Sequence, residues 1–162
     1  MVASVIGSSR VVRDLLRQGA SVSVADSDGY SALHHSVYHK HLAVSNELIE
    51  GAAGFTANGM YGTPLYVAST KGVCQGIVVL IDTGANVDSE LDNGATPLSF
   101  APRDGWLEAV TTLLWANTNP LLSAHGSLPL ETAVYNGHLE VVRELVQRIG
   151  IDGRTCDGGA LV

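Results

Sequence analysis

The chain has 162 residues, of which 46% are hydrophobic and 15% are charged, which is typical of a globular domain and not of a disordered or fibrous segment. Its formal net charge of −7 repels phosphate, so we expect no nucleic-acid partner. Cys74 and Cys156 have no metal-like spacing, and no apolar run approaches the about 20 residues of a membrane helix. These features predict an intracellular protein, cytoplasmic or nuclear, that is monomeric, does not insert into a membrane and has no signal peptide.

An internal repeat organises the sequence. Four segments carry a leucine at intervals of 32, 33 and 32 residues, at Leu33, Leu65, Leu98 and Leu130. Small residues follow each leucine shortly afterwards, at Ser36, Ala68, Ala101 and Ala133. Paired apolar residues come later in each period, at Leu15-Leu16, Leu48-Ile49, Leu80-Ile81, Leu113-Leu114 and Leu145-Val146. Periods of this length are typical of stacked repeat proteins.

Each period predicts two short helices. Thr63-Pro64 and Thr96-Pro97 have the pattern of a helix cap followed by proline at the first helical position, and Ser31 can cap in the same way. A glycine column ends the first helix, with Lys40 in the same column: Gly7, Gly72, Gly105 and Gly137. Gly19, Gly84 and Asn117 are expected to end the second helix.

The register divides the chain into a single domain of repeats over residues 1–162. It predicts a partial repeat at 1–25, repeats at about 26–57, 58–90, 91–122 and 123–154, and a partial repeat at 155–162. Neither end has the polar character of a capping repeat, so we expect the chain to be a piece of a longer array.

Three positions depart from the pattern. Pro102 falls inside a first helix, where it removes a backbone donor, so that helix should be short or kinked. Leu128 stands where a capping side chain is expected, a loss of roughly 1 kcal/mol. Tyr61 precedes Gly62 where the turn glycine should be, which predicts a connection shifted by one residue.

Two segments carry the resemblance to a known family. The run from Asn136-Gly137-His138-Leu139 to Glu140-Val141-Val142 resembles the second-helix signature of the ankyrin repeat, and Gly84-Ala85-Asn86-Val87-Asp88 resembles the lead into its hairpin. The resemblance implies an all-α ankyrin-repeat solenoid, in which helix-turn-helix units are stacked and joined by short β-hairpins or turns. It also implies a protein-interaction scaffold that binds a protein or peptide in a concave groove, without catalysis.

Candidate chemical sites are weak. His35 and His39 have the i, i+4 spacing of two metal ligands, but no cysteine is near and we expect no metal site. Asp26 and Asp28 resemble the opening of a calcium loop that no glutamate closes. We therefore expect no metal, no cofactor and no enzymatic activity.

The family resemblance places the binding surface on the hairpin tips and on the solvent side of the first helices. The tips offer Ser27, Asp28, Tyr30, Met60, Asp92, Asn93, His125 and Ser127. The first helices offer Tyr38, His39, Thr70, Lys71, Arg103, Asp104, Tyr135 and Asn136. Tyr38, Arg103 and Tyr135 are the strongest candidates, because tyrosine and arginine are enriched at binding hot spots. Trp106 and Trp115 fall outside this surface, and a packing role is expected for Trp106.

Two other hypotheses remain open. The chain could be a regulatory or targeting segment of a larger enzyme, channel or effector. The departures at Tyr61, Pro102 and Leu128 are also compatible with a degenerate array that binds nothing specific.

Overall fold

The computed structural model describes residues 1–51 and 62–150 and contains helices that follow one another in pairs. In chain order they are α1 (Val2–Ile6), α2 (Ser9–Arg17), α3 (Ala32–Tyr38), α4 (Leu42–Glu50), α5 (Pro64–Thr70), α6 (Cys74–Asp82), α7 (Pro97–Phe100) continued by a 3₁₀ helix (Ala101–Asp104), α8 (Leu107–Trp115), α9 (Pro129–Tyr135) and α10 (Leu139–Ile149). The chain separates into two compact units, Met1–Asn86 and Val87–Val162. The single-domain organisation and the repeat boundaries stay predictions.

Within each unit the helix pairs stack on one another, which confirms the predicted all-α fold. In the first unit α1 packs on α3 and α3 on α5, while α2 packs on α4 and α4 on α6. In the second unit α7 packs on α9 and α8 on α10. First helices therefore contact first helices, and second helices contact second helices.

Much of the core consists of residues that the repeat singled out, although Leu130 is only half-buried and Leu15 is exposed. The repeated leucines Leu33, Leu65 and Leu98 are at most 1% exposed, and the small residues that follow them are fully buried. Small side chains let neighbouring helices approach closely, and the Ser36 hydroxyl of α3 lies 2.9 Å from the Ser45 hydroxyl of α4. Leu80, Leu113 and Leu145 bury the second helices in the same way.

The predicted caps start the first helices. The Thr63 side chain accepts a hydrogen bond from the Tyr66 N–H at 3.2 Å. The hydroxyls of Thr96 and Ser99 lie 2.9 Å apart, and the Ser99 hydroxyl accepts from the Thr96 N–H at 3.0 Å. Ser31 begins α3 with the same reciprocal arrangement, in which His34 Nδ1 accepts from the Ser31 N–H. Each cap satisfies backbone donors that a helix start leaves open.

Leu128 begins α9 without a capping hydrogen bond from its own side chain, as predicted. Its backbone N–H donates instead to the Glu131 carboxylate at 2.9 Å. One half of a capping box is thus retained, and the half that needs a hydroxyl is lost.

The glycine column ends the first helices in the left-handed region, as predicted. Gly72, Gly105 and Gly137 have φ of +61°, +71° and +75°. Lys40, which the register places in the same column, has φ of +62° although it carries a side chain. Position in the repeat therefore fixes this conformation more strongly than residue type. The ends of the second helices follow the prediction as well, with positive φ at Gly19, Gly84 and Asn117.

A close approach gives two of these glycines a second role. A Cβ at Gly105 would lie 2.5 Å from His138 Nδ1, and His138 Nε2 donates a hydrogen bond to the Arg103 carbonyl at 3.0 Å. Gly7 and His41 repeat this arrangement in the first unit, where the Cβ would lie 2.6 Å from Nδ1. The histidine at the start of a second helix packs against the glycine of the preceding pair.

Pro102 shortens its helix, as predicted. Helix α7 spans only Pro97–Phe100, and the chain continues as the 3₁₀ helix Ala101–Asp104 before Gly105. Proline lacks the N–H that the α-helix would use here, and a 3₁₀ turn carries the chain to the glycine column without it.

The connections are turns with isolated bridges, at Ala25–Ser31 and Ala124–Ser127, and the described residues contain no longer strand. Tyr61, Met60 and Cys156 lie outside the described residues, as does the predicted partial repeat at 155–162. Among the residues described, no helix combines the length and apolar character that crossing a bilayer requires.

Candidate protein-binding surface

The predicted binding residues on the first helices are exposed in both units. Tyr38 is 49% exposed and Tyr135 is 90% exposed, while Thr70 is half-buried. The other members are also exposed, at His39, Lys71, Arg103, Asp104 and Asn136. They lie in the last turn of each first helix, just before the column that ends it. Their exposure makes them available to a partner without disturbing the core.

The predicted tip residues are exposed too, except that Tyr30 is half-buried. The exposed members are Ser27, Asp28, Asp92, Asn93, His125 and Ser127. Met60 lies outside the described residues.

A pocket of about 300 Å³ in the first unit joins a hairpin tip to helix α3. The predicted residues Asp28, Tyr30, Tyr38 and His39 all line it, so the structure brings these four together. Ser27 lies outside the lining. We call this site the tip pocket; its further lining residues are Asp26, His34 and His35.

An aspartate–histidine pair holds the tip against α3. His35 Nε2 lies 2.7 Å from Asp26 Oδ2, and Asp26 Oδ1 accepts from the N–H groups of Asp28 and Tyr30 at 3.0 and 2.9 Å. The hydrogen bond from His35 lowers the pKa of the Asp26 carboxyl below its ordinary value, and the two backbone N–H groups act in the same direction. Asp26 is therefore a carboxylate at neutral pH, and it positions the turn that carries Asp28.

Aromatic rings form the remaining wall of the tip pocket. The Tyr30 ring lies 5.7 Å from the His35 ring, and the Tyr38 ring lies 5.1 Å from the His39 ring. Lys71, from the next helix pair, places its Nζ 4.7 Å from the centroid of the Tyr38 ring. This geometry is a cation–π contact, which shows that Tyr38 accepts a positive charge on its face.

In the second unit several of the predicted residues are held by local hydrogen bonds. The Asn93 side-chain amide donates to His125 Nε2 at 2.9 Å and so joins two successive tips. The Asn136 amide donates to the carbonyl of Thr132 at 2.8 Å. The backbone carbonyl of Arg103 accepts a hydrogen bond from His138 Nε2. The Arg103 side chain is exposed.

Asp26 and His35 belong to the candidate surface although sequence reasoning did not place them there. The sequence marks both residues only weakly, Asp26 as part of an incomplete calcium loop and His35 as part of a histidine pair. The described residues hold no group of three or more histidine, cysteine, aspartate or glutamate side chains able to bind a metal ion. His35 uses its Nε2 for Asp26, which makes the pair a structural contact.

Two tryptophans lie outside the predicted surface. Trp115 at the end of α8 is 84% exposed and lines a shallow depression with Glu144 and Arg148 of α10. Trp106, for which a packing role was expected, keeps 40% of its surface exposed. Trp115 is thus an exposed aromatic residue on the second helices rather than on the first.

Known proteins share the repeat pattern. The family model for ankyrin repeats in three copies matches residues 1–90 and 71–156. The chain is 32% identical over 137 residues to tyrosine-protein kinase Shark of Drosophila melanogaster, covering 82% of this chain and 15% of that protein. It is 31% identical over 150 residues to the B-cell lymphoma 3 protein homolog of Mus musculus, covering 88% of this chain and 33% of that protein.

A third relative, ankyrin repeat and SOCS box protein 3 of Bos taurus, is 32% identical over 155 residues, covering 88% of this chain and 28% of that protein. The chain therefore spans a third or less of the length of these three relatives. The family match, together with the stacked helix pairs, shows that this chain belongs to the ankyrin-repeat family.

Proposed function

We propose that the chain is a non-catalytic scaffold that binds a partner protein or peptide through its hairpin tips and the exposed last turns of its first helices. Ankyrin repeats are protein-interaction modules, and this chain belongs to that family. The observation that carries the proposal is the tip pocket, where four residues predicted to contact a partner line one cavity. Exposed tyrosines beside a cavity can bury area on binding and keep their hydroxyl hydrogen-bonded.

Affinity capture with the purified chain tests this function. We expect a protein from lysate of the source cells to be retained by the wild type and lost by a variant that combines Tyr38→Ala, Arg103→Ala and Tyr135→Ala. Trp115→Ala is the matched control, because it removes an exposed aromatic side chain outside the proposed surface. Circular dichroism establishes that all variants are folded.

The outcomes separate the hypotheses. Loss of the retained protein in the triple variant, with retention by Trp115→Ala, supports the tips and first helices as the binding surface. Equal retention by all chains contradicts the residue assignment, and loss in the tryptophan variant alone moves binding to the second helices.

A second proposal is that the chain acts as a regulatory or targeting segment of a larger protein. It is supported by the relatives, which extend well beyond the matched region and include a protein named as a tyrosine kinase. A native transcript that continues in frame beyond the printed sequence would support this role, and stop codons on both sides would contradict it.

A further inference from the structure

The tip pocket has a chemistry of its own, which narrows the kind of residue that a partner would place there. We infer that it binds the guanidinium group of an arginine side chain. The inference rests on the proposed function, because the arginine would belong to the partner. Charge, aromatic walls and size each support it.

Charge comes first. Asp26 and Asp28 both line the pocket together with His34, His35 and His39, and the Lys71 ammonium lies over the Tyr38 ring of its wall. The Asp26 oxygens are already occupied by His35 and by two backbone N–H groups. The Asp28 carboxylate has no hydrogen bond or ion pair among the described residues and is exposed. The Asp28 carboxylate can therefore accept hydrogen bonds from a ligand, while the Asp26 carboxylate adds negative charge to the pocket without accepting further bonds.

The aromatic walls favour a planar cation. Tyr30 and Tyr38 stand on the tip and on α3, and the histidines beside them complete the lining. A guanidinium group stacks on aromatic faces and still donates two parallel hydrogen bonds to one carboxylate. Lys71 Nζ lies 4.7 Å from the centroid of the Tyr38 ring, so one face of this ring already holds a cation, and a guanidinium group would stack on its opposite face or on Tyr30.

Size sets the limit on the ligand. A volume of about 300 Å³ lies at the low end of ligand pockets, which suits one long side chain and is too small for a typical cofactor. Asp28, Tyr38 and His39 line the pocket and are exposed, so an arginine side chain of a bound peptide can reach it from solvent.

A titration of the 162-residue, ¹⁵N-labelled chain tests the inference with small probes. The probes are N-acetyl-arginine amide, N-acetyl-lysine amide and N-acetyl-citrulline amide. Lysine carries the same charge as arginine on an ammonium group, and citrulline keeps the shape of arginine without its charge. A single side chain binds weakly, so we expect saturating shifts with a Kd of about 1 mM, equivalent to roughly 4 kcal/mol. The amide signals of Asp28, Tyr30 and Tyr38 should move with the arginine probe only.

Matched variants locate the contact. Asp28→Asn should weaken the arginine probe about tenfold, because it removes the accepting charge. Asp92→Asn removes the same charge from an exposed tip outside the pocket and should leave the shifts unchanged. Tyr38→Phe keeps the ring and should retain binding, whereas Tyr38→Leu should lose it. Tyr38 is 49% exposed, Asp28 and Asp92 lie on exposed tips, and circular dichroism checks the fold.

Several results would overturn the inference. Equal shifts with citrulline would show that charge plays no part, and equal shifts with lysine would remove the preference for a guanidinium group. Full binding by Asp28→Asn would place the probe elsewhere. Because no partner is present in this titration, a lack of arginine-specific shifts contradicts the inference and leaves the proposed function untouched. A failed capture from lysate contradicts the proposed function and leaves the arginine binding of the pocket untouched.

Discussion

The glycine column offers a stability test, because two of its members differ in what faces them. Gly105 and Gly137 have nearly equal φ, +71° and +75°, so alanine at either position costs about 1 to 2 kcal/mol of backbone strain. At Gly137 a Cβ meets no described atom within 4 Å. At Gly105 it would lie 2.5 Å from His138 Nδ1. The pair thus separates backbone strain from steric overlap.

The extra cost at Gly105 follows from the contacts of His138. Three ring atoms lie within 3.0 Å of the new Cβ, so the whole imidazole must move. That movement breaks its hydrogen bond to the Arg103 carbonyl, about 1 kcal/mol, and repacking adds about 1 kcal/mol more. We expect Gly105→Ala to lower the free energy of unfolding by about 3 to 4 kcal/mol, against about 1 to 2 for Gly137→Ala.

Urea unfolding followed by tryptophan fluorescence measures this difference, because both tryptophans, Trp106 and Trp115, lie in the second unit. The His138→Ala background is the control, since without the ring Gly105→Ala should cost no more than Gly137→Ala. Equal costs in the wild-type background, or an excess cost at Gly105 that survives the loss of His138, would refute the reasoning.

Three other predictions use urea unfolding, followed by tryptophan fluorescence for Leu128→Thr and Tyr135→Ala in the second unit and by circular dichroism for Arg13→Gln in the first unit. Arg13→Gln should lower the urea midpoint at neutral pH, because Arg13 donates a hydrogen bond to Glu47 and lowers the pKa of its carboxyl, whose ordinary value is 4.5. The difference in midpoint from wild type should shrink as the pH falls through and below that value, and a difference that persists would contradict this origin. Leu128→Thr should raise the stability by about 1 kcal/mol, since it supplies the capping oxygen that α9 lacks, and an unchanged midpoint would count against a missing cap. Tyr135→Ala should change the stability by less than about 0.5 kcal/mol, because the ring is 90% exposed, and should weaken partner capture; a large loss of stability would show that the ring packs.

The local backbone conformation could be predicted from the sequence because several repeats place equivalent residues at the same position. The left-handed column and the caps depend on residues within one turn of each other, and aligned repeats average out exceptions. Lys40 is the clearest case, since its residue type argues against φ of +62° and only its register predicts it. Pro102 was predictable for the same reason, because its effect acts on its own helix.

The tip pocket could not be predicted from residue types, because it depends on where a turn lies against a helix. Asp26 and His35 are nine residues apart, and the sequence patterns that contain them, a histidine pair and an incomplete calcium loop, do not predict their contact. The contact of Lys71 with Tyr38 joins two helix pairs, and sequence reasoning placed both residues on the surface without joining them. The pocket emerges from stacking, and each repeat alone carries only part of it.

Lys40 also shows how a residue other than glycine can stand in the glycine column while the helix pairs still stack. Where the column holds Gly7 or Gly105, the next pair supplies His41 or His138, whose ring occupies the space that a Cβ would need. After Lys40 the corresponding position is Val73, which has no ring to reach back and is itself 6% exposed. At these three positions glycine stands where the N-cap residue of the next second helix is a histidine, and lysine stands where that residue is a valine. At Gly7 and Gly105 the histidine ring therefore excludes a side chain in addition to the demand of the positive φ.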